Sequence, residues 1–174
     1  MTPVEIRPLE PGDDRSGLVS GDPDLDRFFR KYAGQNQFHH HVGTTYVAVV
    51  GGVLAGFATV SGASIHVDEM PEKTRRRLPR YPLPVLRLAR LGVDQRVRRQ
   101  GIGRQLLRAV LLLAREMADR VGCVGVLVDA KPQAVEFYRQ YGFARLEVVE
   151  GLLGDRPPPV PMFLPIGSIP GSAQ

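Results

Sequence analysis

Residues Val85–Ala118, VLRLARLGVDQRVRRQGIGRQLLRAVLLLAREMA, decide how the rest of the chain is read. Val85, Leu86, Leu88, Leu91 and Val93 form a short apolar run that predicts a strand. Asp94 to Gln100 follows neither the strand nor the helix period and carries Arg96, Arg98 and Arg99. Past Gly101-Ile102-Gly103, apolar residues recur at Leu106, Leu107, Val110, Leu111, Ala114, Met117 and Ala118. That is the stripe of an amphipathic helix packed on a sheet. The stretch therefore reads as strand, basic glycine loop and helix.

A glycine turn that opens a helix presents unpaired amide N–H groups at the positive end of the helix dipole, and such a site takes phosphate. Gly101 and Gly103 let the backbone approach an anion because neither has a Cβ. Arg96, Arg98, Arg99 and Arg104 add attraction for a polyanion. A P-loop is excluded, since no Gly-Lys-Ser/Thr follows. A dinucleotide fingerprint lacks its third glycine and its downstream acid.

The 174 residues suffice for one domain with a core of its own. Hydrophobic content of 43% and charged content of 24% are those of a globular protein. No run approaches 18 apolar residues, which argues against a membrane span, and MTPVEIRPLEPGDD lacks the form of a secretory signal. The single Cys123 allows no internal disulfide and suits a reducing cytoplasm; its strand-like setting makes it a small core residue. A net charge of +5 favours an acidic partner, coenzyme or RNA.

Elsewhere the chain alternates strand and helix signals. Val4–Leu9 predicts a strand, and Asp22-Pro23 a helix start with an apolar face at Leu25, Phe28, Phe29, Tyr32 and Ala33, fading by Asn36. Thr44–Val50 and Val53–Val60 flank Gly51-Gly52 as a hairpin. Ser61–Leu83 is proline-rich and basic, with a short helix possible over Pro71–Leu78. Gly122–Val128 predicts a buried strand, Lys131-Pro132 opens a helix ending at Gly142, and Phe143–Val149 and Val160–Ile166 predict the last strands. Gly151–Pro159 reads as a loop, and 167–174 as a disordered tail beyond a domain of 1–166. His39-His40-His41 diverge and have no nearby carboxylate to complete a metal set, so no metal site is expected; they read as an isolated surface cluster, with a basic, solvated rim beside a polyanionic ligand as the alternative.

The run Arg98-Arg99-Gln100-Gly101-Ile102-Gly103 resembles the pyrophosphate loop Arg/Gln-x-x-Gly-x-Gly/Ala of the GNAT N-acetyltransferases. Ala134-Val135-Glu136-Phe137-Tyr138-Arg139-Gln140-Tyr141-Gly142-Phe143 resembles that superfamily's second motif, A-x-x-F-Y-x-x-x-G-F. The resemblance implies an α/β, single-domain GNAT fold with a mixed, mostly antiparallel, splayed β-sheet flanked by helices. It implies acetyl-CoA as donor and coenzyme A as product. Leu91, Gly92 and Val93 would lie against the pantetheine arm, and Arg98, Arg99, Gln100, Gly101, Ile102, Gly103 and Arg104 would hold the pyrophosphate. Tyr138 would be the catalytic phenol that donates to the leaving thiolate, with Tyr141 a packing residue.

The likeness extends to the TacT-like acetyltransferase toxins. Leu25, Asp26, Phe29, Ala33 and Gln37 match their leading helix, and Leu88-Ala89-Arg90-Leu91-Gly92-Val93-Asp94 matches their central strand. The resemblance implies acetylation of the α-amine of aminoacyl-tRNA, arrest of translation, a ribbon-helix-helix antitoxin and a homodimer. Arg75, Arg76, Arg77, Arg87 and Arg90 are the candidate tRNA-binding residues. No glutamate stands between Val85 and Asp94 to serve as a base. A lysine amine, with a pKa of about 10.4, needs one; an α-amine at about 7.7–8.0 is already partly neutral. Transfer to a small-molecule amine or a protein N-terminus stays open as the alternative, as does a module that binds acetyl-CoA or RNA without transfer.

Overall fold

The computed structural model describes residues 2–70, 72–146 and 159–170. Seven strands follow in chain order: β1 (Val4–Pro8), β2 (Thr44–Val50), β3 (Val53–Ile65), β4 (Leu83–Val93), β5 (Gly125–Ala130), β6 (Ala144–Arg145) and β7 (Val160–Pro165). The helices are α1 (Pro23–Lys31), α2 (Ala33–Phe38), α3 (Glu72–Arg75), α4 (Ile102–Arg120) and α5 (Val135–Arg139). The strands hydrogen-bond in the order β1-β2-β3-β4-β5-β7-β6. The β1–β2, β2–β3, β5–β7 and β6–β7 pairs are antiparallel. The chain forms two compact units, Met1–Ser61 with Leu88–Val110, and Gly62–Arg87 with Leu111–Gln174.

In the first unit the hairpin turns at Gly51 (φ 57°) and Gly52 (φ 78°), two successive left-handed residues that match the twist of the flanking strands. A bulge interrupts the β2–β3 register at Ala48/Val49, and the extra residue, Ala55, offers its carbonyl to the amide of Asp94 at 2.8 Å. Phe28, Phe29 and Ala33 from the helices pack with Val47, Leu54 and Phe57 from the sheet. The Phe29 and Phe57 rings stack 4.3 Å apart. Losing either ring should cost about 3–5 kcal/mol.

In the second unit Ile65, Val67, Met70, Leu83, Val85, Leu146 and Phe163 make a separate core. Cys123 is buried there as a packing residue, its Sγ donating to the Gly125 carbonyl at 3.2 Å. Burial pushes its thiol pKa upward, away from nucleophilic use.

The structure differs from the sequence expectations in several places. The helix opened by Asp22-Pro23 is two helices, broken at Tyr32, and the second continues past Asn36 to Phe38. The break aims Gln37 at the sheet, where its Nε2 donates to the Leu9 carbonyl and its Oε1 accepts from the Thr45 amide. β3 runs five residues beyond Val60, to Ile65; Ala63 and Ile65 keep the alternation behind exposed Gly62 and Ser64. β5 starts at Gly125 rather than Gly122 and reaches Ala130. The stretch Asp94–Gln100 holds a 3-10 turn at Gln95–Val97. The helix expected after Pro132 is a 3-10 turn followed by only five α-helical residues. The short helix expected over 71–78 is α3, four residues long. The last strand stops at Pro165 rather than Ile166, and of the expected tail Gly167 and Ser168 belong to a 3-10 turn that starts at Ile166, while Ile169 is buried. Of the strand predicted over 143–149, Ala144–Arg145 form β6; residues 147–149, the loop residues 151–158 and residues 171–174 lie outside the described residues.

Candidate functional site

In the first unit β4 ends at Val93 and the chain reaches α4 through a turn with two left-handed residues, Arg99 (φ 63°) and Gly101 (φ 80°). Arg99 pays for that conformation, at about 1–2 kcal/mol for a residue with a Cβ. Gly101 does not. The helix that follows runs 19 residues, carries no acidic residue in its first turn, and closes its first hydrogen bond from the Gln105 amide to the Gly101 carbonyl. The amides before Gln105 have no partner within the helix. Arg99 and Arg104 are exposed beside them. The donor set therefore fits a pyrophosphate: a helix N-terminus, a left-handed turn and two cations.

Two of the arginines expected to attract an anion have other occupations. The Arg96 Nε and Nη2 each donate to Asp94 carboxylate oxygens at 2.9 Å. The Arg98 side chain donates to the Ser20 carbonyl, leaving its backbone amide as the group that can face a phosphate. Asp94 is 1% exposed and also accepts from the Val19 amide. The Arg96 hydrogen bond, helped by the backbone amides of Arg96 and Val19, holds its pKa down to about 2. Asp94 thus clips the segment before α1 to the end of β4. The motif likeness did not reveal this clip; an aspartate followed by arginine two residues later was its only signal.

The leading helix signature has matching structural uses. Asp26 is buried and accepts from Ser20 Oγ at 2.6 Å and from the Ser20 amide at 3.0 Å. Asp22 caps α1, its Oδ1 accepting from the amides of Asp24 and Leu25. The guanidinium of Arg90 lies 3.8 Å over the Phe28 ring. Beside it is a cavity of about 180 Å³ lined by Phe28, Ala33, Asn36, Thr45, Thr59 and Arg90, among others. Thr45 and Thr59 are buried and share a hydroxyl hydrogen bond of 2.8 Å. Of these residues only Arg90 was named from sequence as a candidate binding residue; Phe28 and Ala33 were read as part of an apolar helix face. Gly92, on the same strand, passes so close to Phe57 that a Cβ there would sit 2.8 Å from the ring.

In the second unit Tyr138 sits on α5, 4% exposed, with edge-on contacts to Phe137 and Phe143 at 5.1 and 5.5 Å between centroids. Burial of the ring raises the phenol pKa, so it stays protonated across the physiological range. Arg87 is paired with Asp129 at 2.5 Å, and Arg76 with Glu72 at 2.7 Å. Arg75 and Arg77 are exposed. Among the described residues no group of three His, Cys, Asp or Glu side chains could hold a metal. No helix there is long and apolar enough to cross a membrane.

A family model described as an acetyltransferase (GNAT) domain matches residues 41–145. The chain is 33% identical over 138 residues, 79% of its length and 82% of the relative's, to a protein of Mycobacterium tuberculosis named tRNA-acetylating toxin. It is 30% identical over 176 aligned positions, covering 94% of its length and 92% of the relative's, to a Sinorhizobium fredii protein named "Probable toxin TacT". The fold resembles AtaT complexed with acetyl-methionyl-tRNAfMet, with a TM-score of 0.82, 22% identity and coverage of 96% of this chain and 97% of that one. An AtaT mutant bound to the C-terminus of the antitoxin AtaR and acetyl-CoA matches at TM-score 0.74 and 21% identity, covering 96% of each chain.

Proposed function

The chain belongs to the GNAT acetyltransferase family, and from that premise we propose that it transfers the acetyl group of acetyl-CoA to the α-amine of aminoacyl-tRNA as the toxin of a toxin–antitoxin pair. The observation that carries this is the 33% identity, over most of both chains, to a tRNA-acetylating toxin. The residues Asp26, Phe29, Ala33, Gln37 and Asp94 support it, because each holds the leading segment, α1 or α2 in place.

Acetyl-CoA supplies the acyl group as an activated thioester. The amides at the start of α4, with Arg99 and Arg104, would hold its pyrophosphate, and Leu91, Gly92 and Val93 would line its arm. The neutral amine attacks the carbonyl carbon; a C–N bond forms, the C–S bond breaks, and the thiolate takes a proton as the amine loses one. By the motif resemblance Tyr138, kept protonated by burial, would be the donor to that sulfur. The cavity beside Arg90 would receive the aminoacyl group, while Arg75 and Arg77 would meet tRNA phosphates. Arg76 and Arg87 would contribute as halves of ion pairs, which weakens their share. A ribbon-helix-helix antitoxin would neutralise the protein, a second copy would pair with it, and the cytoplasm would be its site of action.

A reconstituted translation system tests the outcome. With acetyl-CoA the protein should stop synthesis, and with coenzyme A alone it should not. Unimpeded synthesis at full acetyl-CoA, with robust acetylation of peptides or small amines, would assign the chain to the alternative acceptors.

A further inference from the structure

On the outward side of α2 lies an open groove of about 810 Å³, lined by Arg15, Lys31, Gln35, Phe38, His39 and His40, with no carboxylate among its lining residues. We propose that this groove binds backbone phosphates of the RNA strand whose 3′ end enters the cavity beside Arg90, which makes it a docking site separate from the chemistry. This rests on the aminoacyl-tRNA reading.

The groove is built for an anion. Arg15 is fixed, its Nη1 donating to the Phe29 carbonyl at 2.9 Å. Its guanidinium lies flat against Gly34, where a Cβ would come within 2.9 Å of Nη2. Two of the three acids nearest in sequence are engaged: Asp13 accepts from both Arg7 terminal nitrogens at 2.8 and 2.9 Å, and Asp14 accepts from Ser16, while Glu10, next to the lining residue Pro11, is exposed. His39 and His40 are presented at the end of α2, both amides donating to the Gln35 carbonyl, and the chain leaves through His41 at φ 53°. The His40 ring is positioned by the Gln35 amide, 3.0 Å away. Arg27, Arg30 and Lys31 follow one another at i, i+3 and i+4 as an exposed basic ridge running into the groove. Asp24, the exposed carboxylate of α1, lies two turns back from Lys31.

Position selects RNA over an acidic peptide. Ala33 and Asn36 line the inner cavity, and Gly34, Gln35 and Phe38 line the groove, so the two are opposite sides of one short helix. A helix is about 10–12 Å across, a span that a few nucleotides of single strand cover. Phe38 adds an apolar surface for a base or sugar.

The test is the triple variant Lys31→Ala/His39→Ala/His40→Ala, with Lys31→Glu alone as a second variant. Deacylated total tRNA is titrated against salt, and transfer is measured with charged tRNA and with a short aminoacyl ester lacking RNA. Affinity for tRNA should fall about tenfold or more, with the salt slope shallower by about 0.7 per lost contact. The KM for charged tRNA should rise relative to that for the ester. An unchanged slope and KM in folded variants would overturn the groove, and so would loss of poly-glutamate binding with tRNA binding intact. Should the native protein fail to acetylate charged tRNA, the function falls, and the salt slope still decides whether the groove holds RNA.

Discussion

At the scale of the residue, Tyr138 and Asp94 divide chemistry from architecture. Tyr138→Phe keeps the ring and its edge contacts and removes only the donor, so turnover should fall about 10²–10⁴-fold with acetyl-CoA affinity retained. Single-turnover kinetics and calorimetry check the split. Native turnover in the chemistry-limited regime would return Tyr138 to packing. Because its pKa is raised by burial, no limb of the pH–rate profile below about pH 10 should belong to this phenol. Asp94 works in the opposite direction. Its pKa falls from 3.8 unfolded to about 2 folded, so the unfolded chain binds the extra proton between those values. Its stabilisation is complete above about pH 5 and is lost as the pH drops toward 2. Allowing for the exposure of Arg96, about 1–2 kcal/mol is at stake. Acid unfolding of Asp94→Asn should show that part of the pH dependence removed.

At the scale of the element, the turn into α4 trades stability for ligand binding. Gly103→Glu places a carboxylate among the amides of the first turn and should abolish acetyl-CoA binding by calorimetry while the circular dichroism stays unchanged. Arg99→Gly relieves a left-handed conformation and should raise stability by about 1 kcal/mol while weakening coenzyme affinity, since it also removes an exposed cation. Melting and calorimetry on that variant should move in opposite directions. This element was legible in sequence because glycine spacing and the apolar stripe of α4 are local signals. The break at Tyr32 and the tail of β3 were not. The first is set by Gln37 reaching Leu9 and Thr45, and the second by alternation diluted with Gly62 and Ser64. Likewise the two left-handed residues could be anticipated only at the glycine; nothing local marks Arg99.

At the scale of the whole molecule, 20 arginines and three lysines against 18 acids make a surface suited to RNA, yet charge count misjudged individual residues. Arg87, Arg96 and Arg98 are engaged by Asp129, Asp94 and Ser20, contacts 42, 2 and 78 positions away in sequence. Only the fold could reveal the two long ones. Neutralising Arg75, Arg76 and Arg77 together should weaken tRNA binding and flatten its salt dependence by about 0.7–0.9 per lost phosphate contact, with acetyl-CoA affinity hardly changed. Fluorescence titration across a salt series reads this directly; an unaltered slope would remove that segment from the RNA-binding surface.

The central claim is the identity of the acceptor, and labelled acetyl-CoA with charged and uncharged tRNA tests it most directly. After incubation the RNA is recovered and the label followed through mild base, which cleaves the aminoacyl ester. The account predicts label on charged tRNA alone, released by base as an N-acetyl amino acid. Label that is absent from charged tRNA while free amines or peptides are acetylated efficiently would contradict it.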